Sequence, residues 1–148
     1  MFDTCGHMSS YEFSYILRNE QAMSKENVYL VRGKNGEYAS GTKICSSGRG
    51  AKSTMNKFIE GLIYLRLREL YGDNVPYENP LHQMYMVWCW GGGKQHFTDW
   101  NTFQSHNDAE IRNGLNVSRK TKSEYDEFVK IVKEIEDYWH IEEIEQDA

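Results

Sequence analysis

Proline is almost absent from this chain. There are two, Pro76 and Pro80, four residues apart, so the sequence holds one proline-marked connection and no proline-rich tract. Cysteine is scarce as well. Cys5, Cys45 and Cys89 are an odd set with no CxxC pair. That argues against a disulfide framework and against a thiolate zinc site, and it predicts free thiols in a reducing, cytoplasmic setting. The five histidines, His7, His82, His96, His106 and His140, show neither HExxH nor His-x3-5-His spacing, so no metal is expected. No apolar run has the length of a membrane span, and no apolar segment follows a basic start. A soluble, unexported protein without a cofactor is the expectation.

What is present is ordinary for a globular protein. With 148 residues, 39% of them hydrophobic, the chain reads as a single domain, 1–148, able to build a core without staples. Aromatics at 14% argue against disorder over most of its length. Residues 1–8 and 142–148 read as flexible ends. Charge is uneven. Residues 1–72 carry ten Lys/Arg against seven Asp/Glu, and residues 73–148 carry seven against fifteen. The acidic second half suits a basic partner.

Local patterns give the elements. Ser9-x-x-Glu12 is a capping box ahead of Phe13, Ile16 and Leu17, which predicts a short helix. Val28-Tyr29-Leu30-Val31 is a strand, and Asn35-Gly36 predicts a two-residue hairpin turn with positive φ at both positions. Tyr38 to Cys45 returns as the second strand, with Gly41 at a bulge. Met55, Phe58, Ile59, Leu62 and Leu65 predict a helix that stops at Gly72. His82 to Trp90 is apolar on both strand faces and reads as an interior strand, with "GGG" turning the chain into a partner strand. A short helix is expected over 107–114, capped by Asn107 or Asp108. Thr121-x-x-Glu124 caps a long helix through about Ile141. The predicted fold is α+β: an antiparallel sheet from two hairpins, about 27–45 and 82–100, with helices mainly on one face.

"CSSGRGAKST", residues 45–54, lies where a strand gives way to a helix. A helix N-terminus offers free N–H groups and partial positive charge to an anion. Gly48 and Gly50 give backbone access, Arg49 and Lys52 give charge, and Ser53 or Thr54 gives a hydroxyl. A phosphorylated small molecule or nucleotide is the ligand this composition fits. The spacing is not that of a Walker A loop, because Ser46 and Ala51 stand where it has glycines. The plainer alternative is that Ser53 caps the helix.

The hairpin also resembles that of the GIY-YIG endonucleases. "VYL" at 28–30 stands for the first motif strand, "YASG" at 38–41 for the second, and Arg49 lies eight residues after Gly41. The resemblance covers about 25 residues and implies a nuclease using Arg49. Asn27 replaces the first motif's glycine, and Arg49 sits between glycines. "HMS" at 7–9 and "HFT" at 96–98 match the short His-x-Ser/Thr pattern of two-histidine phosphoesterases. Cys45 or Cys89 beside a histidine would be a thiol nucleophile. Cys89, between two tryptophans, reads instead as a small hydrophobe.

Two surfaces remain. Trp88, Trp90, Phe97, Trp100 and Phe103 beside Lys94 are either core or a base-stacking face, and the sequence pI of 5.5 disfavours nucleic acid. The last helix repeats Tyr125, Phe128, Val132, Ile135 and Trp139, a stripe for the core or for a second copy of the chain. Its other side is acidic. Glu134, Glu136 and Asp137, followed by Glu142, Glu143 and Glu145, form a ridge suited to a basic groove on another protein, including one that normally holds nucleic acid. The leading expectation is a non-enzymatic binding or inhibitor protein acting through this acidic surface.

Overall fold

Val28-Tyr29-Leu30-Val31 forms an inner strand, as β-branched and aromatic residues favour. The computed structural model describes residues 5–7, 27–39 and 43–145. They form β1 (Cys5–His7), β2 (Val28–Gly33), β3 (Lys43–Cys45), α1 (Gly48–Tyr71), α2 (Pro80–Cys89), a 3-10 helix (Gly93–Phe97), α3 (Trp100–Arg112), α4 (Lys122–Tyr138) and β4 (Trp139–Ile144). The fold is α+β. Its contacts gather into two compact units, Met1–Ile59 with Glu136–Ala148, and Glu60–Ile135. None of the helices formed by the described residues is long and apolar enough to cross a membrane. The helix predicted from Ser9 and the bulge at Gly41 lie outside the described residues.

The first unit holds one antiparallel sheet in the order β1-β3-β2-β4. The hairpin expected at 27–45 supplies β2 and β3, which meet at Tyr29↔Cys45. Its turn differs from the two-residue form. Gly36 alone has positive φ, at 85°, and no other residue type does so among the described residues. Gly36 N–H donates to the Gly33 carbonyl and Gly33 N–H to the Glu37 carbonyl, which closes a three-residue loop, Lys34 to Gly36. The sheet is completed from the far end of the chain. β4 pairs with β2 over six positions, from Val28↔Ile144 to Gly33↔Trp139. The last helix therefore stops at Tyr138, short of the predicted Ile141. Trp139, Ile141 and Ile144 are β-formers, and pairing with β2 satisfies their backbone as a continued helix would. Residues 142–144, within the end expected from sequence to be flexible, are assigned to strand β4. Leu30 and Val31 are fully buried, and Phe58 meets Trp139 edge-on at 4.7 Å.

The second unit is helical, and here the second hairpin fails. Residues 82–100 form α2, a glycine turn and the 3-10 helix, and they end at the start of α3. Asn79 Oδ1 accepts from the N–H groups of Leu81 and His82, and Pro80 occupies the first turn, a start signal for a helix. Leu81, Met84, Val87 and Trp88 are buried at helical spacing. Gly93 lies where a Cβ would strike the Val87 carbonyl oxygen, so the turn after α2 needs glycine there. α3 starts earlier than predicted, capped by Asp99, which accepts from Thr102 N–H at 2.7 Å. α4 has the predicted capping box. Thr121 N–H donates to Glu124 Oε1 at 2.8 Å, and Glu124 N–H to Thr121 Oγ1 at 3.2 Å. Phe97, Phe103 and Tyr125 stack with centroids 5.1 to 6.2 Å apart, and Phe128 meets Phe97 at a tilt, 5.3 Å away. Tyr125, Phe128, Val132 and Ile135 are buried in this core.

Candidate functional site

The glycine-hydroxyl loop opens α1 earlier than the sequence suggests. The helix begins at Gly48, and Ser47, not Ser53, is the residue that caps it. Ser47 Oγ accepts from Gly50 N–H at 3.0 Å, and its carbonyl accepts from Ala51 N–H. One of the donors an anion would use is therefore engaged inside the chain. Gly48 packs on the Tyr29 ring, and Gly50 is buried. Arg49, Lys52 and Ser53 are exposed. Thr54 is half-buried, with Oγ1 3.7 Å from Cys45 Sγ. The residues named from sequence thus gather at one helix start, with the cations and Ser53 on its exposed side.

Cys45 is disulfide-bonded, which corrects the expectation of three free thiols. In the sheet register it faces Cys5. The cytoplasmic expectation rested on free thiols, and this bond withdraws that basis. Cys89 is free and half-buried. Burial raises its pKa, opposed by a hydrogen bond with Tyr85, and this is the direction opposite to thiolate activation.

The acidic residues divide by what holds them. Glu134 lies 3.5 Å from Arg66. Glu142 accepts from Arg32 Nη1 at 2.7 Å, in a pair about two-thirds shielded from solvent. Glu143 is different. Its Oε1 accepts from Tyr29 Oη at 3.2 Å and from Asn27 Nδ2 at 2.5 Å. Both donors are neutral, so the carboxylate is oriented without being neutralised. Tyr29 reports the charge, since its pKa is raised first by the hydrogen bond to Glu143, then by burial. Glu136, Asp137 and Glu145 are exposed.

The second unit contains a polar cluster that sequence reasoning missed. Gln83, Asn107, Glu110 and Lys120 are all more than nine-tenths buried. Lys120 Nζ donates to Gln83 Oε1 and to the Ser118 carbonyl, and Lys120 N–H donates to Asn107 Oδ1. Asn107 Nδ2 donates to the same Ser118 carbonyl. Burial lowers the Lys120 pKa, opposed by the charge of Glu110 and Glu124. Beside the cluster, His106 Nε2 is 3.3 Å from Glu110 Oε1, and the His106 ring stacks on His96 at 3.7 Å. His96 is lowered by burial first and by His106 second. The His106-x3-Glu110 spacing was visible as a helical i,i+4 pair, whereas nothing in the sequence joined Lys120 to Gln83. The cavity these residues border is about 10 Å³, room for one water. It is a packed joint between α2, α3 and the segment before α4, too small for a substrate. No group of three or more His, Cys, Asp or Glu among the described residues is arranged to hold a metal ion.

The aromatic segment is mostly core. Trp88 and Phe103 are buried, while Trp90 is 60% exposed. Lys94 Nζ lies 4.3 Å over the Trp88 ring. No protein-family model matches the chain, and neither the curated proteins nor the solved structures compared with it give a match.

Proposed function

We propose that this chain is a non-enzymatic binding protein that docks on a basic surface of another protein through the acidic end of α4 and strand β4. The observation that carries the reading is Glu143. Its carboxylate is held in place by Tyr29 and Asn27, neither of which carries a positive charge, beside the exposed Glu136, Asp137 and Glu145. A fixed, un-neutralised charge at a surface favours an oppositely charged partner without the entropy of ordering a mobile side chain. A groove that otherwise binds nucleic acid is a surface of the required sign, which makes inhibition by occupancy the natural outcome.

The test is affinity capture from the native cell with the wild type and with the Asp137→Lys, Glu143→Lys, Glu145→Lys triple variant, at low and at moderate salt. Glu142 is left intact because its ion pair with Arg32 belongs to the sheet. The reading expects basic proteins held by the wild type, released by salt and absent from the variant. The same set of proteins on both baits would refute it.

A further inference from the structure

Among the described residues, β4 is the last strand of its sheet and has one neighbour, β2. Among the described residues, no backbone group of Trp139–Ile144 bonds to anything beyond β2. One row of N–H and C=O groups on this six-residue strand therefore faces away from the sheet, a template for another strand. Charge on an edge strand commonly keeps sheets apart. Here the charge has one sign, so it repels like edges only. A second copy of β4 laid antiparallel over all six residues would set His140 opposite Glu143 and Ile141 opposite Glu142, and so offers no Lys or Arg to either carboxylate. A basic strand meets the opposite situation.

The register defines what fits. Trp139, Ile141 and Glu143 share one face of β4, with His140, Glu142 and Ile144 on the other. Arg32 already neutralises Glu142 on its face. On the Glu143 face, a carboxylate oriented by neutral donors stands two residues from Ile141 and four from Trp139, both half-buried. An added strand would set a cation opposite Glu143 and apolar side chains opposite Ile141 and Trp139. We propose that β4 accepts an extended segment of a basic protein as an added strand, with a Lys or Arg opposite Glu143 and an apolar residue two positions from it. This rests on the acidic-docking reading and specifies its mode: main-chain hydrogen bonds supply affinity, and the alternating side chains supply selection.

The probe is a fluorescent nine-residue peptide, Thr-Lys-Thr-Val-Thr-Val-Thr-Lys-Thr, which presents the pattern in either strand direction. Its control carries the same side chains with every second amide N-methylated, so charge is kept and strand pairing is blocked. Binding is read by fluorescence polarisation, and amide hydrogen exchange is followed over Trp139–Ile144. Expected are binding by the probe, slowed exchange in β4, at least tenfold weaker binding by the control, and a fall of about fivefold with Glu143→Gln, in line with a cross-strand charge pair. Equal binding by probe and control overturns strand addition while acidic docking stands. No binding by the probe also overturns it. If the triple lysine variant then captures the same partners as the wild type, acidic docking falls separately.

Discussion

Two polar arrangements in this molecule are built on opposite principles. Around Lys120, four buried polar residues satisfy one another or their neighbours and border room for a single water. At β4, Glu143 is held at the surface by neutral donors and left charged. Perturbed titration is a common pointer to function, and by that pointer alone the Lys120 cluster would be the site. Its geometry says otherwise, since every strong donor there already has an acceptor inside the chain. The difference teaches that availability, more than perturbation, separates a binding group from a structural one.

The comparison breaks most readily at Lys120. Lys120→Met removes the buried ammonium donor to Gln83 Oε1 and to the Ser118 carbonyl. A loss on the order of 2 kcal/mol is expected in urea unfolding, the range for hydrogen bonds made by a charged group. A Lys120→Met protein as stable as the wild type would mean that the cluster is not a structural joint.

Much of this contrast was hidden in the sequence for physical reasons. Local signals were legible: the strand at Val28–Val31, the capping box at Thr121 and Glu124, and the helix stop at Gly72, whose N–H donates to the Arg68 carbonyl at 2.8 Å. Helix α2 was misread because a short apolar run fits a buried strand and a buried helix equally, although Asn79-Pro80 marked its start. The sequence of β4 reads as the close of a helix at about Ile141 followed by a tail, because its partner, β2, lies at the other end of the chain, and tertiary pairing overrides local propensity. The acidic residues were individually visible. That Glu142 meets Arg32 whereas Glu143 meets Tyr29 depends on the same long-range register and could not be read from spacing.

A milder way to sharpen the comparison is pH. His96 is depressed below its ordinary value of 6.5 by burial and by the stacked His106. The unfolded chain therefore binds the His96 proton more readily than the folded one. The favourable contribution is present above about pH 6.5 and is lost as pH falls through the depressed folded value. Melting temperature followed from pH 8 down to pH 5 should drop more for the wild type than for His96→Gln. Equal slopes would show that the stack has no influence on stability. Glu110, Lys120 and His106 are ionisable groups in the same neighbourhood, so the variant, and not the wild-type curve alone, assigns the effect.

The smallest effect is the most informative, and it sets two adjacent carboxylates against each other. Glu142→Gln breaks a partly shielded ion pair with Arg32 and should cost about 1 kcal/mol, near the upper end for exposed pairs. Glu143→Gln removes charge but keeps an oxygen that accepts from Tyr29 and Asn27, so stability should change by less than about 0.5 kcal/mol. Its signature lies elsewhere. The raised pKa of Tyr29 has Glu143 as its main cause, and in Glu143→Gln it should move back toward the ordinary tyrosine value. Phenolate absorbance, referenced to Tyr29→Phe, reads that shift directly. If Glu142→Gln moves the Tyr29 titration and Glu143→Gln does not, the β2–β4 register is other than Tyr29↔Glu143, and the charge assigned to the outer strand belongs to a different residue.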